Sequence, residues 1–269
     1  MLIIVGTILS LIASVLTYWG IGLFNLPWFY LFLLIPFAIT FFVIFLNIYW
    51  AIVLISILPY RNKEFVGKVN KWNLFHIRLT ASFCLMLRGL IIKRKGFKNI
   101  PKQPSLILFN HISDYDPWVL YKLLHGRYAM VGKIALRSIP MVRCMASATG
   151  TLFVDNNNPD KNREMVDEAV KYISEKGTSV CIAPEGTRNF SGQLSPFKHG
   201  GFNIATRSNC PIVFIGFKDM QKAVVKRKSW LLKIHVEVFD VIQPEEYQGM
   251  SAGEVAELCE TKYRKYLGE

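Results

Sequence analysis

The pattern of apolar and charged positions sets residues 1–60 apart from the rest of the chain. This segment contains no Asp, Glu, Lys, Arg or His, and the first charged side chain is Arg61. About 20 apolar residues are enough to cross the hydrocarbon core of a bilayer as a helix. The pattern therefore predicts a membrane anchor over residues 1–60, with two apolar helices at roughly 2–19 and 29–58.

The second apolar stretch is longer than one span requires, and it contains Pro36, which can kink or break a helix. Two anchor geometries are therefore open, a pair of spanning helices and a monotopic hairpin that enters one leaflet. The segment does not resemble a secretory signal peptide, which begins with basic residues and has an apolar stretch of only about 7–15 residues.

Two further stretches follow the anchor. Residues 61–90 mix apolar and basic positions, as is typical of a segment lying at the membrane interface. Residues 91–269 alternate short apolar runs with helical periodicity, which predicts an α/β domain with a largely parallel sheet flanked by helices. The predicted strands are 105–109, 128–132, 151–154, 178–183, 211–217 and 233–240, and the predicted helices are 117–124, 134–148, 162–177, 200–208 and 251–266.

Positive charge is concentrated directly after the anchor. The chain carries a net charge of +13, and residues 61–104 hold eleven Lys or Arg and a single acid, Glu64. An excess of basic residues beside an apolar segment marks the cytoplasmic side, so the domain is expected on the cytoplasmic face of the membrane. The same residues would attract anionic lipid headgroups. Because most of the charge adjoins the anchor and residues 105–269 add only +3, membrane lipid and not nucleic acid is the expected partner.

Cysteine and histidine usage gives no sign of a metal site. The five cysteines are scattered, without a Cys-x-x-Cys pair, and no set of His, Cys and acidic residues has metal-ligand spacing. Reduced thiols and no bound metal are therefore expected.

Polar clusters follow three of the predicted strands. "NHISDYD" follows the strand at 105–109, "DNNN" follows 151–154, and "PEGTR" follows 178–183. In open α/β sheets, ligand sites form beyond the carboxyl ends of the strands. The three clusters are therefore expected at one site.

In the first cluster, His111 and Asp116 form a candidate pair of a base and an orienting acid. A carboxylate can fix the imidazole tautomer and stabilise the imidazolium that forms when the base takes a proton. Two alternatives are open: Asp116 acts only as an N-cap of the helix that Pro117 begins, or Asp114 is the partner of the histidine.

A hydrolase would place a nucleophile beside this base, but the chain has no Gly-x-Ser-x-Gly elbow. A base without a protein nucleophile favours activation of a hydroxyl on the substrate, which is the logic of a transferase. In "PEGTR", Gly186 would allow close approach of a ligand, and Arg188 offers a planar fork to a phosphate or carboxylate. Glu185 would contact a substrate hydroxyl or only brace the loop. Lys198, before a glycine pair, is a candidate anion ligand, and a plain turn with a surface ion pair is the alternative for the whole cluster.

These motifs resemble those of the 1-acyl-glycerol-3-phosphate acyltransferase family. "NHISDYD" is similar to its Asn-His-x-x-x-x-Asp block, "GTLFVD" to its second block, "PEGTR" to its third, and "CPIV" to its fourth. The blocks occur in family order between about residues 91 and 240, preceded by "KRKGFKNIP", which resembles the strand that usually comes before them.

The resemblance implies that a lysophospholipid hydroxyl attacks an acyl thioester of coenzyme A or acyl carrier protein, giving phosphatidic acid without any other cofactor. It implies His111 as the base, Asp116 as its orienter, Arg188 in phosphate binding, and Pro211 as a wall near the acceptor. The expected substrate-binding residues are Asn110, Asp155, Glu185, Gly186, Thr187, Arg188 and Lys198.

Three positions depart from the family pattern. Asn156 stands where the family has Arg, Ala183 where Phe is usual, and Phe214 where a second Pro is common. The loss of one cation leaves another lysophospholipid or glycerol 3-phosphate open as the acceptor. A membrane-attached lipid esterase that uses the same histidine with water, and a non-catalytic lipid-binding protein, are the remaining alternatives.

Overall fold

The computed structural model describes residues 2–22, 28–61, 69–155, 157–189, 193–220 and 231–269. They form two compact units, Met1–Pro59 and Tyr60–Glu269.

The first unit contains two apolar helices, α1 (Leu2–Gly20) and α2 (Leu34–Ile57), and a 3₁₀ turn at Trp28–Leu33 precedes α2. Within the described residues, one helix is long and apolar enough to cross a membrane, at Tyr30–Tyr60 with a mean hydropathy of 2.6. Pro36 is the third residue of α2 and follows the 3₁₀ turn at Trp28–Leu33. A proline is tolerated there because the amide groups of the first turn have no partner within the helix.

The second unit is built from helices and strands in near alternation. Its elements are α3 (Lys71–Leu87), β1 (Leu90–Lys95), β2 (Leu106–Phe109), α4 (Asp116–Leu123), β3 (Tyr128–Lys133), α5 (Pro140–Ala148), β4 (Leu152–Val154), α6 (Pro159–Ser174), β5 (Ser179–Ile182), α7 (Asn203–Ser208), β6 (Ile212–Lys218), β7 (Leu232–Ile242) and α8 (Ala252–Leu267).

The seven strands form one sheet in the order β1-β7-β6-β2-β5-β3-β4. Every neighbouring pair is parallel except β6 and β7, which are antiparallel. The mostly parallel α/β fold predicted from the sequence is therefore confirmed. The carboxyl ends of β2, β3, β4, β5 and β6 share one edge of the sheet, called the site edge below, where β1 and β7 begin.

The core of this unit lies between the sheet and its helices. All four residues of β2 are buried, as a strand covered on both faces of a parallel sheet requires. Helix α6 packs a face that includes Met165, Ala169 and Tyr172 against the core, and the Asn158 side chain caps its first turn by accepting a bond from the Lys161 amide. Gly177, three residues beyond the last residue of α6, adopts a φ of 59°.

Helix α3 lies within the predicted interfacial segment 61–90, of which residues 62–68 are outside the described residues, and it has two distinct faces. Leu74, Ala81 and Leu85 are buried in the core of the domain, whereas Trp72 and Phe75 on the other face are exposed. The mixture of apolar and basic residues in the sequence therefore includes a face that packs on the protein itself.

Candidate active site

The site edge begins where β2 ends, at Asn110. The Asn110 side chain donates from Nδ2 to the Phe217 carbonyl (3.2 Å) and accepts at Oδ1 from the Phe217 amide (2.8 Å). The Asn110 side chain is 5% exposed. Its two bonds join the end of β2 to the end of β6, as a further pair of backbone hydrogen bonds between the strands would. This bond pair sets the direction in which the chain continues to His111.

His111 and Asp116 lie in direct contact. His111 Nδ1 is 2.9 Å from Asp116 Oδ2, and the Asp116 side chain is fully buried while that of His111 is 23% exposed. The same Oδ2 accepts the Ile112 amide (2.7 Å) and the Ser113 amide (2.8 Å), and Oδ1 accepts the Ser113 hydroxyl (2.7 Å). Four donors around one carboxylate fit its ionised form, which only accepts.

This arrangement fixes the tautomer of the imidazole. Because Asp116 Oδ2 is an acceptor, His111 Nδ1 carries the proton and donates it. The lone pair of His111 is then on Nε2, which has no hydrogen-bond partner within the described part of the chain. A neutral imidazole held at one nitrogen and free at the other can accept a proton from a bound hydroxyl.

Both alternatives to this pair are wrong. Asp116 is the first residue of α4, and no side chain caps that helix; the carboxylate turns back to the loop before it. Asp114, the competing partner, instead accepts a bond from Arg188 Nη1 at 2.5 Å.

The loop that follows β5 holds the His111 backbone on both sides. Glu185 Oε1 accepts the His111 amide, and the Asn189 amide donates to the His111 carbonyl, each at 2.9 Å. The second oxygen, Glu185 Oε2, accepts the Ser195 amide at 3.0 Å. Burial raises the pKa of the Glu185 carboxyl, and the two amide bonds oppose that shift. With both oxygens occupied by backbone, Glu185 braces the loop.

Gly186 and Lys198 lie against each other at the tip of this loop. Gly186 has a φ of 68°, and a Cβ built on it would lie 2.7 Å from Lys198 Cε and 2.9 Å from Lys198 Nζ. The Lys198 amide donates to the Pro184 carbonyl at 2.8 Å. The Lys198 side chain therefore packs against the "PEGTR" loop and does not extend over the glycine pair. That pair forms part of a 3₁₀ turn at His199–Phe202. Thr187 and Arg188 are exposed on the same loop.

Asp155 lies apart from this cluster, at the end of β4. Its amide donates to Asn162 Oδ1 (2.8 Å) and its Oδ1 accepts the Asn157 amide (3.0 Å). Strands β5 and β3 separate β4 from β2, which is about 14 Å at about 4.8 Å per strand. The expected meeting of all three polar clusters is therefore limited to the first and third. Asn156 lies outside the described residues.

Two residues of the fourth block lie away from His111. Pro211 precedes β6 at the opposite edge of the sheet, where its carbonyl accepts the Leu106 amide at 2.9 Å, so it does not form a wall near the site. Phe214 is fully buried and packs against Phe239 and Tyr263, so its departure from the family pattern falls in the core.

Sequence reasoning missed two residues that hold the site together, Ser113 and Asn189. Ser113 is 1% exposed and its hydroxyl bridges Asp116 Oδ1 and the Tyr115 amide, while the Asn189 side chain donates to the Gln193 carbonyl and to Ser195 Oγ. Ser and Asn commonly bond nearby backbone in turns, which was the available signal.

A second histidine–aspartate pair lies elsewhere on the site edge. His235 Nδ1 is 3.0 Å from Asp219 Oδ2, but both side chains are far more open than those of the first pair, at 49% and 35% exposed. Among the described residues, no group of three or more His, Cys, Asp or Glu side chains could hold a metal ion.

Comparison with known proteins gives similarities over most of the chain. A family model described as Acyltransferase matches residues 91–218. The 1-acyl-sn-glycerol-3-phosphate acyltransferase of Haemophilus influenzae is 27% identical over 214 residues, which is 80% of this chain and 86% of that protein. The human 1-acyl-sn-glycerol-3-phosphate acyltransferase alpha is 26% identical over 192 residues, which is 71% of this chain and 68% of the human protein.

Solved structures that are similar in fold include the crystal structure of the 1-acyl-sn-glycerophosphate (LPA) acyltransferase PlsC from Thermotoga maritima. Its TM-score is 0.63 at 20% identity, and the match covers 82% of this chain and 88% of that chain. At this identity the likeness establishes the fold alone.

Proposed function

We infer that this chain, an O-acyltransferase whose residues 91–218 form a domain of the acyltransferase family, makes phosphatidic acid. It would move a fatty acyl group from an acyl thioester to the free hydroxyl of 1-acyl-glycerol-3-phosphate. The names of the similar proteins from Haemophilus influenzae and human support this acceptor.

The observation that carries the proposal is the contact of 2.9 Å between His111 Nδ1 and buried Asp116. His111 Nε2 takes the proton of the acceptor hydroxyl while the hydroxyl oxygen attacks the carbonyl carbon of the thioester. Asp116 stabilises the imidazolium that forms. Collapse of the tetrahedral intermediate breaks the carbon–sulfur bond, and the imidazolium returns the proton to the leaving thiolate. A positioned base of this kind contributes about 100- to 10,000-fold in rate.

Arg188 and Lys198 are the cations proposed to bind the acceptor phosphate. The bond of Arg188 to Asp114 is exposed, with the two side chains 43% and 79% accessible. Exposed ion pairs contribute only about 0–1 kcal/mol, so exchange of Asp114 for a phosphate costs little. A guanidinium can bind two phosphate oxygens at once, which fixes the distance of the acceptor hydroxyl from the base.

The proposed acceptor has a fatty chain and stays in a bilayer, which fits the apolar helix Tyr30–Tyr60 as a membrane anchor. The eleven basic residues of segment 61–104 support a catalytic unit on the cytoplasmic face. Acyl coenzyme A and acyl carrier protein thioesters are the proposed donors, with no further cofactor.

The test is acyl transfer by the full chain reconstituted in phospholipid vesicles, with each of the two thioesters as donor. The acceptors are lysophosphatidic acid, glycerol 3-phosphate, a neutral-headgroup lysolipid and water alone. We expect phosphatidic acid from lysophosphatidic acid at the highest rate. Preference for another acceptor would mean that the substrate assignment is wrong, and fatty acid release without acceptor would identify an esterase.

A further inference from the structure

A surface outside the proposed catalytic machinery also lies at the site edge. Strand β3 ends at Lys133, and because β3 is parallel to β5 and β5 to β2, the chain leaves β3 at the edge where His111 lies. It continues as a 3₁₀ turn at Ile134–Ser138 and enters α5 at Pro140. Residues 133–143 are called the 133–143 surface below.

Three aliphatic side chains of this surface face solvent. Leu136 is 40% exposed, Ile139 is 51% and Met141 is 45%. Single exposed apolar residues are common on proteins, but three within six consecutive residues form a small apolar patch.

The sequence that surrounds this patch is basic. Between Asp116 and Asp155 the sequence has five basic residues and no acid. Lys133, Arg137 and Arg143 belong to the 133–143 surface itself, and Arg137 is held over the Phe153 ring at 5.4 Å. The surface therefore combines three aliphatic side chains with three cations of its own, and Asp155 on the neighbouring strand follows Val154, the register partner of Lys133.

We propose that the 133–143 surface docks the catalytic unit directly on an anionic lipid bilayer. Aliphatic side chains that enter the acyl region, with cations at the level of the headgroups, are the combination that binds membrane interfaces. A stable protein interface buries about 1,000 Å² or more, which is much larger than three side chains and a turn supply. This size argument favours a lipid surface over an acidic protein partner.

Docking here would turn the site edge toward the lipid. His111, the "PEGTR" loop and the 133–143 surface all lie beyond the carboxyl ends of parallel strands β2, β5 and β3. A lysolipid would then reach the base while its acyl chain stays in the membrane. This consequence for catalysis rests on the proposed function, but the docking itself does not.

The docking is tested by photo-cross-linking, which needs no activity. Met141 is replaced by a diazirine amino acid in the full chain, reconstituted in vesicles of phosphatidylglycerol and phosphatidylcholine. The matched control is Met250, which is 39% exposed and follows the end of β7 at the opposite edge of the sheet. We expect lipid adducts at position 141 and a large excess over position 250. Equal yields at both positions, or adducts at 141 to added acyl carrier protein instead of lipid, would overturn the proposal.

A substitution then measures what docking contributes. Ile139 is the N-cap residue of α5 and makes no capping bond, so Ile139→Asp adds a negative charge at a position where Asp favours the helix. We expect the rate with vesicle-borne lysophosphatidic acid to fall about tenfold, since about 1.4 kcal/mol of lost binding corresponds to a factor of ten. The rate with a short-chain, water-soluble acceptor should stay unchanged, as should both rates in Met250→Asp. An equal loss with both acceptors would refute a docking role, whereas no transfer by the unsubstituted chain would refute the proposed function and leave the cross-linking result standing.

Discussion

Asp116→Asn separates the electrostatic role of the carboxylate from its role in holding the loop. An amide oxygen at the Oδ2 position can still accept from the Ile112 and Ser113 amides and from His111 Nδ1. The amide nitrogen then faces Ser113 Oγ, which can accept because its hydroxyl hydrogen rotates. The loop and the tautomer are retained, and only the negative charge is lost.

The size of the effect follows from the geometry of the pair. Unit charges about 4 Å apart interact by about 4 kcal/mol at an effective dielectric constant of about 20. Losing that stabilisation of the imidazolium in the transition state corresponds to about a thousandfold in rate. Asp116→Ala also leaves two buried backbone amides without an acceptor, at about 1–3 kcal/mol each, so it should be clearly less stable.

The assay compares acyl transfer to lysophosphatidic acid and thermal unfolding for Asp116→Asn, Asp116→Ala and Asp219→Asn. The last variant changes the equivalent carboxylate of the exposed pair with His235 and should transfer at the rate of the unsubstituted protein. We expect Asp116→Asn to unfold at nearly the unsubstituted temperature with a rate lower by about a thousandfold. A stable Asp116→Asn protein with full activity would refute the role of the charge.

Three further substitutions test the loop after β5, and Asp114→Asn serves as a control outside that loop. Glu185→Gln leaves one of two backbone amides without an acceptor and should lower the free energy of unfolding by about 1–3 kcal/mol, measured by urea unfolding. Because burial holds the pKa of the Glu185 carboxyl above 4.5, the folded state takes up a proton at a higher pH than the unfolded state does. The free energy of unfolding should therefore rise relative to that of Glu185→Gln as the pH falls below neutral. Arg188→Ala should raise KM for a phosphate-bearing acceptor by about 10- to 100-fold with a smaller change in kcat, whereas Asp114→Asn should not raise it. Gly186→Ala should lower the unfolding temperature, because φ is 68° and the new methyl group meets Lys198.

Much of the fold could be predicted because its strands are buried apolar runs bounded by polar turns. Strand β2 was expected at 105–109 and is Leu106–Phe109, and β5 was expected at 178–183 and is Ser179–Ile182. The reversal of β7 could not be predicted in this way. Its direction depends on how the chain returns from β6 after residue 218, and apolar periodicity is the same in parallel and antiparallel strands.

The site was predicted where its chemistry is local and missed where it depends on distant backbone. His111 and Asp116 are five residues apart, so a turn between them suggested their contact. The bond from the His111 amide to Glu185 spans 74 residues and exists only once β2 and β5 are neighbours. The bonds of Asp116 to the preceding amides also compete with helix capping, and only the folded loop decides between the two.

The most direct test of the central claim is the rate of phosphatidic acid formation by His111→Ala beside His235→Ala. Both variants remove an imidazole that contacts a carboxylate through Nδ1, at 2.9 Å and 3.0 Å respectively. If His111 is the base, His111→Ala should lose about 100- to 10,000-fold while remaining folded, and His235→Ala should keep its rate. Undiminished transfer by His111→Ala would contradict the account.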